Sequence, residues 1–509
     1  MAQNRLFIFA IGGTGARVMK ALTMLLASGV KANVGEIVPI FVDPHQANED
    51  LKRTKKAMQD YQSIRKSIVP SAEYKGFFQT KILALENLTN NDEDAVGLNF
   101  DFNLRNIQNE TFGQFIGYDQ MDEPDRALVE LLFSGETQNA KGDPISLLNA
   151  SMEIGFIGHP NLGSIVLNQF ATSKQFEDFA NLFQPADRVF IISSIFGGTG
   201  AAGFPLILKN IRSGSVTASN KGYLKKAKIG AVTVMPYFNI QTGMGGEGPI
   251  KKSDFIVKTK AALSYYHDNI SGNKSINALY YIGDDGSSKP YPNDPGYKGQ
   301  RNDAHFVELA SAMSILDFLN IPDEALETSD QGKVKHTHYR AFGIKKDENK
   351  INFQHLGEGS ALILAKPLTQ YALFCRYLSE HFPTARSKRA YATNLPAFDS
   401  SFASSFFHTN WLTDFNRCFT DWLREMSDNQ RGFAPFNMEV DLQHMIQDVV
   451  AKKSWWLSKV DYDLFDDILG KIEKGKTYGS SQAKLIQLGY QATDQLLTDR
   501  FTFFENHKA

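Results

Sequence analysis

Three observations predict an α/β fold: a parallel sheet flanked by helices, then a mostly helical C-terminal domain. Five short runs are almost continuously apolar, at 6–11, 37–42, 189–194, 229–235 and 279–282. Parallel strands covered on both faces by helices read this way, without polar alternation. Helix-compatible stretches lie between those runs, as in a strand–helix–strand series. From Pro367 onward the apolar spacing is helical and few alternating runs appear.

Taken in order, the first strand, "LFIFAI", runs into "GGTG" and then the helical "ARVMKALTMLLASG". Its apolar run is short and ends in glycines rather than a small-residue cleavage site, so it reads as a core strand and not a signal peptide. The second strand ends at Asp43. Residues 51–150 then break the alternation with amide-rich text such as "ENLTNNDEDAVGLNF", expected to be partly an insertion with helical parts. The third strand, "VFIISS", leads through "IFGGTGAAG" into the helical "FPLILKNIRSG"; "SDFIVKTKAALSYYHDNI" follows the fourth. Two long polar loops, 239–254 and 283–303, precede "AHFVELASAMSILDFL", a largely buried helix; loops of that length are mobile or functional. These pieces place a nucleotide-type domain at 1–320. The stretches "LTQYALFCRYLSEHF", "NWLTDFNRCFTDWLREM", "VDLQHMIQDVVAKKSWWLSKV" and "AKLIQLGYQATDQLLTDRF" place a helix-rich domain at 321–509, its core closed by Trp455, Trp456, Phe501, Phe503 and Phe504.

Composition narrows the function. At 509 residues the chain is long enough for two to three domains. A net charge of −2 provides no basic field for nucleic acid or an acidic membrane. Cys375 and Cys418 form no paired spacing, so neither a disulfide framework nor a zinc site is implied. No run approaches the roughly 20 apolar residues of a membrane span. A cytoplasmic location is expected.

The two glycine junctions carry the chemistry. Where a parallel strand turns into a helix, the first helical amides lack intrahelical partners and sit at the positive end of the dipole. Glycine lets the backbone approach closely, so those amides can wrap a phosphate. Thr199 adds a hydroxyl to the second loop. Ligands of open α/β sheets bind at the carboxyl ends of strands, and two such loops together suit the phosphate chain of a nucleotide. The pattern G-x-x-x-x-G-K-[ST] is absent from both, which excludes an ordinary P-loop enzyme. A clean G-x-G-x-x-G is absent too, although Asp43 stands where a dinucleotide fold keeps its ribose acid.

The order of these pieces resembles the tubulin/FtsZ superfamily of GTPases, and implies a Rossmann-like GTPase sheet. "FGGTGAAGFP" is similar to the signature GGGTG[ST]G through Gly197, Gly198, Thr199 and Gly200, with Phe196 at the first glycine and Ala202 at the last. "AIGGTGAR" resembles GVGGGGxN and carries over Gly12, Gly13, Thr14 and Gly15, with Arg17 replacing the asparagine. "FVDPHQA" carries over Asp43, and "GFIGHPNLGS" His159, Asn161 and Gly163 near a γ-phosphate. "AVTVMPYF" resembles the strand before the sugar loop, and "YYIGDDG" carries over Asp284 to the base or ribose. The following central helix carries over Phe306 for stacking, with Asn302 and His305 near the base edge. The likeness spans residues 5–320. It implies GTP or GDP, with Mg2+ alongside, and self-association with hydrolysis at subunit contacts. The N-x-D-x-x-D loop that performs that hydrolysis does not follow Leu319, so no catalytic residue is named.

Plainer readings stand beside these. Asp43 also suits a loop cap, His159 a turn residue, and Phe306 ordinary core packing. "HTHYR" at 336–340 lacks a carboxylate at ligand spacing, so no protein metal site is expected. Two other functions remain open: a non-hydrolysing, nucleotide-regulated scaffold whose helical domain binds a partner protein, and a dinucleotide-dependent oxidoreductase.

Overall fold

The structure is a computed structural model. It describes residues 4–505 except 47, 70–73, 93–94, 98, 139–143, 153–154, 157–158, 215–220, 238–239, 242–251, 285–290, 293–300, 343–349, 430 and 453–458. Most of the two long loops and the Trp455–Trp456 pair lie outside the described residues.

A seven-stranded parallel sheet organises the chain. Its strands are β1 (Arg5–Ile11), β2 (Glu36–Val42), β3 (Lys81–Ile82), β4 (Arg188–Ser194), β5 (Lys228–Val234), β6 (Ala278–Ile282) and β7 (His338–Phe342). Their spatial order is β7-β6-β5-β4-β1-β2-β3. Sequence order therefore reverses between β1 and β4, which pair from Leu6 against Arg188 to Ala10 against Ile192. The crevice outside such a reversal is where open α/β sheets bind ligands.

The inner strands are apolar because both faces are covered. All seven residues of β2 are buried, and six of seven in each of β1, β4 and β5. On one face Phe7 and Phe9 meet Phe179 edge-on at 5.0 and 5.1 Å. Elsewhere in the sheet Phe190 packs on Phe318 at 5.5 Å. The helices that position the site are α1 (Gly12–Ala27), α2 (Glu49–Ile68), α3 (Pro160–Val166), α4 (Lys174–Leu182), α5 (Gly198–Ser213), α6 (Lys252–Tyr266) and α7 (Phe306–Asn320). Only Gly12 and Gly13 of α1 escape full burial. The C-terminal helices are α8 (Glu358–Glu380), α9 (Thr413–Asp428), α10 (Tyr462–Glu473) and α11 (Ser481–Arg500). They join the same core, where Tyr371 of α8 meets Phe77 at 4.9 Å and Phe419 of α9 at 4.8 Å.

Three features differ from the sequence reading. The strand–helix alternation continues past residue 51 through α2 and β3. A seventh strand, β7, comes from beyond residue 320 and contains "HYR" of the histidine-rich stretch; His338 Nε2 lies 3.0 Å from the Ala325 carbonyl. Residues 441–451, read as helical, form turns instead. There the Asn437 amide donates to Met445 O at 2.7 Å and Asp448 takes a φ of 57°, which a continuing α-helix does not allow. Phe501 and Phe504 do close the C-terminal core, at 1% and 0% exposure. Among the described residues no helix is long and apolar enough to cross a membrane.

Candidate functional site: two glycine-rich helix ends at the sheet reversal

The two glycine loops lie side by side. Each begins the helix that follows one of the two central strands, α1 after β1 and α5 after β4, and a Cβ on Gly12 would stand 3.6 Å from Cβ of Thr199. Gly12 has a φ of 68°, open to glycine and strained for other residues. A Cβ on Gly155, also at positive φ, would lie 3.9 Å from both Thr199 Oγ1 and Pro44 Cγ. The turn after β2, the segment at 155 and the start of α5 thus share one wall.

Both helix ends lack the usual satisfaction of their amides. Neither N-cap, Ile11 of α1 or Gly197 of α5, makes a side-chain cap hydrogen bond, and neither first turn carries an acid. α2, α10 and α11 are capped, Asn48 accepting from the Asp50 amide, Asp461 from Leu464 and Ser480 from Ala483, whereas α8 and α9 lack a side-chain cap but carry an acid, Glu358 and Asp414, in the first turn. Uncapped amides at the positive dipole end are donors directed at an anion. The two uncapped ends lie beside one another at Gly12 and Thr199.

Gly15 and Gly200 also lie directly against the strands. A Cβ on Gly15 would sit 2.6 Å from the Ala10 carbonyl carbon, and one on Gly200 2.6 Å from the Ser194 carbonyl oxygen. These two glycines let each helix lie directly on the strand it leaves. Overpacking of this kind costs about 1–3 kcal/mol, so Gly200→Ala is expected to lower unfolding stability by that amount in urea. An unchanged midpoint would place the close approach elsewhere. Gly163, on α3, packs similarly: its Cβ would meet Gly198 O at 2.9 Å, so it fixes α3 against the second loop. Asn161 is exposed on α3, and His159 precedes it, half-buried, with burial and then Lys258 lowering its pKa to about 4.

Asp43 is buried at the carboxyl end of β2 and accepts from the His45 amide at 3.0 Å. Burial is the main cause that raises its pKa to about 7. Between the ordinary carboxyl value and neutrality the folded protein therefore holds a proton that the unfolded chain has released, and stability falls as pH rises through that window. Asp43→Asn, which keeps the acceptor, is expected to stabilise the ligand-free protein by on the order of 3 kcal/mol near pH 8. The gain shrinks toward pH 5; thermal unfolding at the two pH values checks it, and a pH-independent difference contradicts it.

Arg17 stands one turn into α1, with its guanidinium turned into a buried network. Nε meets Glu308 Oε1 at 2.6 Å, Nη1 meets Asp50 Oδ2 at 2.9 Å, and Nη2 meets Tyr237 OH at 3.0 Å and Thr14 Oγ1 at 3.3 Å. Burial alone would lower the Arg17 pKa, but Tyr237, Glu308 and Asp50 raise it well above the ordinary value. Tyr237 donates to Glu308 at 2.6 Å, and burial keeps its phenol protonated. Asn302 joins through Asp50, its amide and Nδ2 each 3.1 Å from the carboxylate. Beside this network Glu425 of α9 meets Arg53 and lies 3.6 Å from Lys20 and 3.1 Å from the Ala304 amide. Burial opposes ionisation of Glu425, yet Lys20 and Arg53 hold its pKa below the usual range.

Two residues of the sequence reading are held by the C-terminal part. Asp284, just past β6, pairs with Arg431 at 3.0 Å, both side chains 3% exposed. Phe306 is 2% exposed, with its ring 5.3 Å from Phe433, and lines a separate apolar cavity of about 380 Å³ with Ile282, Leu309 and Leu356. Sequence reasoning missed Asp50, Tyr237, Glu308 and Gly155. Only Glu308 left a local signal: with His305 three residues earlier it forms a capping box, His305 Nδ1 accepting from Val307. Among the described residues no group of three or more His, Cys, Asp or Glu could hold a metal ion. Comparison with known proteins brings no match, either to a protein-family model or to a curated protein.

Proposed function

We propose that this protein binds GTP or GDP across the ends of β1 and β4, in the manner of a divergent tubulin/FtsZ-like protein, and self-associates under control of that nucleotide. One observation carries the phosphate part of the reading: two uncapped, acid-free glycine helix ends meet on adjacent strands at the sheet reversal. The choice of guanosine rests on the motif resemblance. Gly12, Gly13, Thr14, Gly197, Gly198 and Thr199 hold phosphate oxygens, and Gly15 and Gly200 set the close packing behind them. Mg2+ enters on the phosphates rather than in a protein cage. Hydrolysis, where it occurs, proceeds by positioning water and stabilising charge; no residue is assigned as its base.

Mass spectrometry of the nucleotide retained through purification tests this reading, joined to light scattering and phosphate release with GTP, GDP or neither. Retained GTP or GDP with GTP-dependent scattering supports it; tight binding without turnover favours a regulated scaffold. A second reading, a dinucleotide-dependent oxidoreductase, is favoured by Asp43 at the end of β2 and by the strand order. Retained NAD or FAD would establish that reading instead, and failure to bind any nucleotide would sink both.

A further inference from the structure

At the N-terminal ends of β4 to β7, the opposite end of the sheet from the glycine loops, the surface forms a second, open concavity of about 770 Å³. That volume lies within the usual range for small-molecule sites. Among the described residues that line it are five lysines, Lys226, Lys228, Lys274, Lys333 and Lys335, and one acid, Glu327. In a chain of net charge −2, this is a local accumulation of one sign.

The lysines are not equivalent. Lys226 pairs with Asp330, and Lys228 with Asp323 at 2.6 Å. Lys333 Nζ donates to the Asn273 carbonyl at 2.7 Å. Lys274 and Lys335 have no ion-pair partner among the described residues, and both are exposed. The backbone of Lys274 and of the two residues before Lys335 is nevertheless held. The Val334 amide donates to Lys274 O at 2.9 Å, and the Ser329 amide to Lys333 O at 2.9 Å. Buried Asn277 holds Leu326 O at 2.7 Å and Thr328 Oγ1 at 2.9 Å. Two uncommitted ammoniums are thus presented from a clamped frame, so an anion that bridges them orders two side chains and not two loops. Tyr223, 46% exposed, adds an aromatic face to the same wall.

From this geometry we infer a second ligand site, for an organic phosphate of nucleotide size, its phosphate between Lys274 and Lys335 and its aromatic portion against Tyr223. It is independent of the glycine loops, and its test separates the two. AMP is titrated calorimetrically into the full chain carrying Thr199→Glu, which places a carboxylate in the glycine cradle, while GTP binding to wild type and Thr199→Glu reports on that cradle alone.

Saturable AMP binding is expected in Thr199→Glu. Adding Lys274→Glu and Lys335→Glu weakens it at least tenfold, and higher salt weakens it as well. Tyr223→Ala weakens AMP several-fold but leaves ribose 5-phosphate unchanged. Lys274→Gln with Lys335→Gln replaces the reversal where the latter fails to fold. AMP binding untouched by either lysine pair, or absent from a folded Thr199→Glu chain, overturns the inference whatever GTP does.

Discussion

Thr199→Glu is expected to lower GTP affinity at least a hundredfold while leaving the unfolding midpoint unchanged or slightly raised. The opposite signs follow from one cause. Residue 199 lies in the first turn of α5, beside Gly12 and Gly155. A carboxylate there interacts favourably with unsatisfied amides at the positive dipole end, worth about 0.3–1 kcal/mol. The same charge competes for those amides and repels a phosphate. Fluorescence titration with a labelled guanosine nucleotide, alongside thermal unfolding, reads both effects. A structural helix start with no ligand would show the small stabilisation and no loss, because nothing would bind in the first place. Wild-type affinity in the variant would place the phosphates elsewhere.

Arg17→Ala is expected to cost about 3–5 kcal/mol of stability, the range for breaking a buried pair by removing one partner. The side chains of Asp50 and Glu308 are 1% and 2% exposed, so neither can turn to water when the guanidinium is lost. Arg17→Lys recovers only part of the loss, since an ammonium cannot reproduce the planar fork that reaches Glu308, Asp50, Tyr237 and Thr14. Glu308→Gln added to Arg17→Ala restores stability by removing one stranded charge. The defect also diminishes at low pH, where the abandoned carboxyls take up protons. Urea unfolding at two pH values checks each of these outcomes; an additive Arg17→Ala and Glu308→Gln pair would mean that the two residues do not act together.

The network also shows how the phosphate end communicates with the rest of the fold. Thr14, at the mouth of the cradle, is hydrogen-bonded to the same guanidinium that holds Asp50 and Glu308. Those carboxylates belong to α2 and α7, and the adjoining Glu425 belongs to α9. Movement of α1 on ligand binding would thus be felt by helices from both halves of the chain.

Legibility followed burial and distance along the chain. β1, β2, β4, β5 and β6 were readable because helices on both faces force continuous apolar runs. β3 was missed because two residues, Lys81 and Ile82, carry no pattern. β7 was missed because it is an edge strand with Tyr339 52% exposed and Arg340 facing outward with 59% side-chain exposure. The stretch at 441–451 has helical spacing, but tertiary contacts of its backbone replace the helix. At the site, the glycine ends were legible because each is a local strand-to-helix junction. Their adjacency was an inference from sheet topology. Arg17's partners were hidden, since Glu308 and Tyr237 are 291 and 220 residues away, and no local periodicity encodes such a pairing.

Hydrogen–deuterium exchange of segments 12–16 and 198–202, with and without GTP, asks most directly whether two helix ends grip one ligand. Slower exchange in both segments, with the same dependence on GTP concentration, is the expected result. Protection of one segment alone, or of neither at saturating nucleotide, would contradict a shared clasp.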